Sequence, residues 1–157
     1  MMTKLSCDVL EALKGRTLVT AESCTGGGIG AALTSIPGSS NIYKGGIISY
    51  TNDVKAIQLS VDAELLNRVG AVSAEVAVEM AEGARNNLCA DVAISVTGLA
   101  GPGADDFGNP VGTVYIGYCD ADKKYSVHFL FAGDREAIRR QAVEAALTIL
   151  LKEATEG

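Results

Sequence analysis

Residues 91–97 read Asp-Val-Ala-Ile-Ser-Val-Thr, and the near-continuous apolar run of Val92, Ala93, Ile94 and Val96 constrains the fold more than any other stretch. Successive side chains of a strand point to opposite faces, so such a run is buried only where both faces of its sheet are covered. The segments around it supply that cover. Leu5, Val9, Leu10 and Leu13 fall at helical spacing before Gly15, and a β-branched strand follows at 17–21. A turn at 22–28 leads into a small-residue helix at 29–33. After a break at 37–40, residues 46–50 read as a strand and 54–59 as a helix capped by Asn52 or Asp53. Ser73 caps a helix over 74–88 that places Val76, Met80, Ala84 and Leu88 on one face. Past the central run lie a long loop at 98–110 and a hairpin of 111–119 and 124–131 around Asp120-Ala121-Asp122. Asp134 then caps a last helix to about Ala154, with a stripe of Ile138, Ala142, Ala145 and Ile149. Helices interleaved with strands and one late antiparallel hairpin predict an α/β fold, a three-layer α/β/α domain on a mixed β-sheet.

The 157 residues, 48% of them hydrophobic, suit a single domain over 1–157. A formal charge of −6 repels a polyphosphate backbone, so nucleic acid is not an expected partner. Cys7, Cys24, Cys89 and Cys119 form no C-x-x-C pair and His128 is the lone histidine, so neither a zinc cluster nor a disulfide framework is expected. Asp8 and Glu11 interrupt the apolar N-terminus and no stretch approaches a membrane span, which points to a cytoplasmic protein.

Three motifs fall at strand ends. The first, Thr20-Ala21-Glu22-Ser23-Cys24-Thr25-Gly26-Gly27, puts Ser23 beside the free N–H groups of a helix start, which can stabilise an oxyanion. The same serine can simply cap that helix. The second, Tyr50-Thr51-Asn52-Asp53-Val54-Lys55, makes Tyr50 and Lys55 neighbours if a helix starts between them. A lysine deprived of water can serve as a base, although a surface lysine fits the spacing as well. The third, Thr97-Gly98-Leu99-Ala100-Gly101-Pro102-Gly103, follows the central strand, where ligands of open α/β sheets bind. It matches neither a dinucleotide fingerprint nor a Walker loop. His128 sits in a strand-like run and reads as structural. Cys24 is a minority candidate for the nucleophile.

Together with 37–40, Gly70-Ala71-Val72-Ser73 and Pro110-Val111-Gly112-Thr113-Val114, these blocks resemble, in order and over nearly the whole chain, the C-terminal domain of the competence/damage-inducible protein CinA. The resemblance implies a nicotinamide mononucleotide deamidase, an amidohydrolase that releases ammonia and nicotinate mononucleotide without metal or other cofactor. It carries Ser23, Tyr50 and Lys55 over as the catalytic group, and it implies a homo-oligomer. Some relatives add an N-terminal domain resembling molybdopterin-binding proteins, and no activity of that domain is expected from these residues. The loop at 103–109, Gly-Ala-Asp-Asp-Phe-Gly-Asn, departs from the family's more glycine-rich loop, which bears on substrate preference.

On this reading Lys55 takes the Ser23 proton directly or through Tyr50, and N–H groups at Thr25, Gly26 and Gly27 hold the oxyanion. Asn52, Thr97, Gly98, Gly101 and an arginine of the last helix, Arg135 or Arg139 with the latter favoured, are the substrate-binding candidates. Two other readings stay open: a nucleotide-binding module without catalysis, and an amidase or esterase acting on another small substrate.

Overall fold

The computed structural model describes residues 2–156; Met1 and Gly157, the ends of the expected 1–157 domain, lie outside the described residues. The elements run α1 (Met2–Ala12), β1 (Leu18–Glu22), α2 (Gly28–Thr34), a 3₁₀ turn (Ser39–Asn41), β2 (Tyr43–Ile48), α3 (Asn52–Leu59), α4 (Ala63–Val69), α5 (Ala74–Asn87), β3 (Val92–Gly98), β4 (Thr113–Cys119), β5 (Lys124–Leu130) and α6 (Arg135–Glu156). The five strands form one sheet in the order β2-β1-β3-β4-β5. β2, β1 and β3 are parallel, while β4 and β5 run antiparallel to their neighbours, so the sheet is mixed as the sequence predicts.

The pleat of β1 and β3 sorts the core into two halves. Leu18, Val92, Ile94 and Val96 pack with Val9, Leu10 and Leu13 at the α1 end, Ile29 and Leu33 of α2, and Ile138, Ala142 and Leu147 of α6. Val19, Ala21 and Ala93 face the other way, against Leu59 of α3, Leu65 and Leu66 of α4, and Val76, Met80 and Ala84 of α5. This second face is built of small groups, and α5 sits close on it. A Cβ at Gly117 of β4 would lie 2.2 Å from the Ala77 carbonyl oxygen, and the Ser95 hydroxyl donates to that same oxygen.

Several boundaries differ from the sequence reading. β2 begins at Tyr43, because hydrogen bonding to β1 holds Gly45 and Gly46 in the sheet despite the poor strand propensity of glycine. It ends at Ile48, so Tyr50 lies beyond the strand. Thr51 occupies the N-cap position of α3, and Asn52 and Asp53 fall inside its first turn. The polar interval before Ser73 holds α4, capped by the Asp62 side chain accepting from Glu64 N at 3.0 Å. The buried stripe of α6 runs Ile138, Ala142, Ala146 and Leu150, with Val143 and Leu147, whereas Ala145 and Ile149 lie at its border. Ser73 and Asp134 do cap α5 and α6, accepting from Val76 N and Ala137 N.

Candidate active site

β1 leads to a strand on one side of it and β3 to strands on the other, so their adjacent C-terminal ends open a crevice of the kind that holds ligands in α/β sheets. A cleft of about 480 Å³ lies there and brings Ser23, Tyr50, Asn52, Lys55, Thr97, Gly98, Gly101 and Arg135 together. That volume lies in the usual range of small-molecule pockets.

Ser23 directly follows β1, with its N–H on the Val96 carbonyl at 3.0 Å and its side chain buried. One turn into α3, Lys55 is 1% exposed, and its amine reaches Ser23 Oγ at 3.0 Å and the Ser49 carbonyl at 2.6 Å. Withdrawal from water disfavours the ammonium form and pushes the Lys55 pKa from 10.5 down to about 8. A carbonyl can only accept, so the neutral amine keeps an N–H on Ser49 O while its lone pair is free to take a proton from Ser23 Oγ.

Tyr50 stands at the mouth, 59% exposed, and its hydroxyl accepts from Arg135 Nη2 at 3.0 Å. Arg135 also donates to the Gly101 carbonyl at 2.7 Å, so the guanidinium ties the Tyr50 segment to the glycine loop. Thr97 donates its hydroxyl to the Ala71 carbonyl at 2.8 Å. Gly98 and Gly101 are required by space: a Cβ would come within 2.7 Å of Val114 at the first and 2.5 Å of Val111 at the second. Among the described residues, the charged side chains on the lining are Lys55 and Arg135. The cleft is therefore a basic spot on a chain of formal charge −6.

The turn after Ser23 is arranged differently from the expectation. Gly26 N–H bonds to Ser23 O and Gly28 N–H to Thr25 O, both at 3.0 Å. At the start of α2, the N–H groups of Ile29 and Gly30 go to the buried Glu22 carboxylate at 2.8 and 3.0 Å. Gly26 is thus not free to hold an oxyanion. The N–H groups of Cys24, Thr25 and Gly27 donate to no acceptor among the described residues, and of these three residues only Cys24 lines the cleft. The Thr25 hydroxyl is also committed to Glu22, at 2.6 Å.

Arg139 does not line the cleft either. It lies one helical turn beyond Arg135, and its guanidinium donates to the carbonyls of Cys24 and Thr25 at 3.0 and 3.2 Å. The arginine of α6 that reaches the mouth is Arg135. Burial pushes the Cys24 thiol up to about 11, so it is not a ready thiolate. His128 stacks on Tyr115, its cross-strand partner, with ring centroids 4.8 Å apart. Sequence reasoning missed Glu22. Its signal was a lone carboxylate at a strand end ahead of a helix without its own side-chain cap.

Residues 2–154 match the family model of the CinA C-terminal domain. The nicotinamide-nucleotide amidohydrolase PncC of Pseudomonas putida is 47% identical over 139 residues, covering 88% of this chain and 87% of its own. A putative competence-damage inducible protein of Clostridium tetani is 44% identical over 152 residues, which are 92% of this chain and 37% of that protein. The chain thus spans little more than a third of some curated relatives it matches. Among solved structures, a CinA superfamily protein of Klebsiella pneumoniae superposes with a TM-score of 0.96 at 34% identity, covering 100% of this chain and 99% of the other. One from Escherichia coli gives 0.95 at 37% identity, covering 98% and 90%. The matched model, the coverage and these superpositions agree: the chain belongs to the CinA C-terminal domain family.

Proposed function

We propose that this protein is a nicotinamide mononucleotide deamidase that works through an acyl-enzyme on Ser23. The observation that carries the reading is the buried Lys55 amine, 3.0 Å from a serine hydroxyl that lines a cleft. With a pKa of about 8, roughly a tenth of Lys55 is neutral at pH 7, against fewer than about one in a thousand for an ordinary lysine. As Ser23 Oγ attacks the carboxamide carbon, its proton passes to Lys55 without an intermediary. The ammonium then protonates the departing nitrogen, which leaves as ammonia. Water attacks the ester, giving a proton to Lys55, and Lys55 returns one to Ser23 as the acid is released. Tyr50 lines the same cleft, but its hydroxyl bonds to Arg135 and to neither Ser23 nor Lys55, so the direct Ser23–Lys55 transfer runs without it. We assign it instead to holding the arginine at the mouth. The oxyanion falls to unpaired elbow N–H groups, of whose residues Cys24 is the one that lines the cleft.

Arg135, the cation of the lining that stays charged while Lys55 acts as a neutral base, favours an anionic substrate, and the Pseudomonas putida relative is named for a nicotinamide nucleotide. The test is ammonia release from nicotinamide mononucleotide with nicotinamide riboside as the phosphate-free control. Turnover of the mononucleotide and little of the riboside is expected, and equal rates on both would remove the phosphate from the account. The proposal includes a homo-oligomer, supported by the exposed large apolar side chains Ile48, Ile57 and Leu130. A monomer by light scattering at micromolar concentration would contradict it.

A further inference from the structure

The elbow that carries Ser23 is gripped by two charged side chains that the reaction leaves unused. Glu22, 1% exposed, accepts the Thr25 hydroxyl and Ile29 N–H on one oxygen and Gly30 N–H on the other. Three donors thus converge on one side chain and fix both of its oxygens. Its own carbonyl accepts from Ser49 N–H at 2.8 Å, and Ser49 O in turn accepts from the Lys55 amine. The residue before the nucleophile is therefore two hydrogen bonds from the base. Arg139 reaches in from α6 and bonds the carbonyls of Cys24 and Thr25, the two residues after the nucleophile. Gly26 lies beside the guanidinium at a φ of +58°, the left-handed backbone that glycine adopts without strain, and a Cβ there would meet Arg139 Nη2 at an ordinary contact distance of 3.4 Å.

A buried carboxyl group and a guanidinium bonded to backbone carbonyls are a costly way to brace a turn that apolar packing would also hold. What these hydrogen bonds add is one geometry, since each fixes a direction as well as a distance. We propose that Glu22 and Arg139 are positioning residues that lock the Ser23 elbow between α2 and α6, and so hold Ser23 Oγ on the Lys55 amine. Neither lines the cleft. The inference rests on the Ser23–Lys55 reading, and its readout is chosen so that it does not depend on the substrate.

The experiment measures covalent labelling of Ser23 by a fluorophosphonate probe, and kcat and KM with nicotinamide mononucleotide, in the parent, Ser23→Ala, Glu22→Gln, Thr25→Val and Arg139→Lys. Thermal unfolding of each gives the folded fraction. Glu22→Gln cannot accept from all three donors, and Arg139→Lys keeps the charge but loses the fork that spans two carbonyls. Per folded molecule, labelling rate and kcat should fall roughly 10-fold or more in both, with KM within about twofold, because a sub-ångström misplacement of a nucleophile costs rate rather than binding. Thr25→Val should show a smaller loss of the same pattern, and it carries the test with Arg139→Lys if Glu22→Gln does not fold. Variants that melt lower but label and turn over within about twofold of the parent would overturn the proposal, leaving a fold-stabilising role only. A parent that labels at Ser23 yet leaves the mononucleotide intact would refute the substrate reading alone, with positioning then judged by labelling. A parent that fails to label would take both down.

Discussion

Replacing Lys55 with methionine separates what the site needs from what the fold prefers. The lowering of its pKa from 10.5 to about 8 means that a charged Lys55 costs the folded state about 3 kcal/mol below pH 8. Methionine removes that cost, but it strips the Ser49 carbonyl and Ser23 hydroxyl of their partner, a loss of about 1–3 kcal/mol. At pH 7 the variant should therefore lie between the parent's stability and about 2 kcal/mol above it, while inactive. The pH dependence is sharper. Between about pH 8 and pH 10.5 the unfolded chain keeps a proton on Lys55 that the folded chain has released, so the parent gains stability as pH rises through that window. The methionine variant lacks this gain, and the other titrating groups are common to both chains. Urea unfolding of the pair at pH 7, 8, 9 and 10 should show the difference moving toward the parent by most of about 3 kcal/mol. A difference constant within about 0.5 kcal/mol would mean that Lys55 titrates as an ordinary lysine and the base assignment has lost its physical footing.

The same pKa predicts that kcat on nicotinamide mononucleotide rises with pH along a limb near about 8, and that Lys55→Arg, which keeps the charge but cannot give a neutral base, is nearly inactive; near-parental arginine activity would return Lys55 to anion binding. Gly117→Ala should destabilise the fold by at least about 2 kcal/mol in denaturant titration, since the new methyl meets the Ala77 carbonyl and the Ser95 hydroxyl at once. Asn109 Nδ2 pins the loop at 103–109 to the Val72 carbonyl at 3.1 Å, so Asn109→Ala should raise KM with kcat less affected, as measured by initial rates.

The layers of the fold were legible because the run at 92–96 is apolar on both faces and α5 keeps a clear stripe, whereas the apolar residues of α6 spread around the helix and blurred its buried face. α4 escaped because seven residues hold fewer than two turns, too short for periodicity to rise above a polar interval. The early half of β2 escaped because glycine carries no strand signal and the pairing with β1 decides. At the site, Ser23 and Thr97 stand at the C-terminal ends of β1 and β3, and Lys55 one turn into α3, elements whose existence the sequence locates well. Glu22 did not announce itself, since its backbone partners Ile29 and Gly30 lie seven and eight residues on, beyond the three-residue spacing of a local capping box. Arg135 and Arg139 share one helix face, and only the packing of α6 on the elbow decides which of them faces the cleft.

Ser23 as the nucleophile of an amide hydrolysis is tested by ammonia release from nicotinamide mononucleotide by the parent, Ser23→Ala and Cys24→Ala, each at matched folded concentration. Release is expected from the parent and from Cys24→Ala, and none above background from Ser23→Ala, because the Cys24 thiol is buried and held protonated while the serine hydroxyl sits on the Lys55 amine. Turnover that survives the loss of Ser23 and disappears with Cys24 would contradict it.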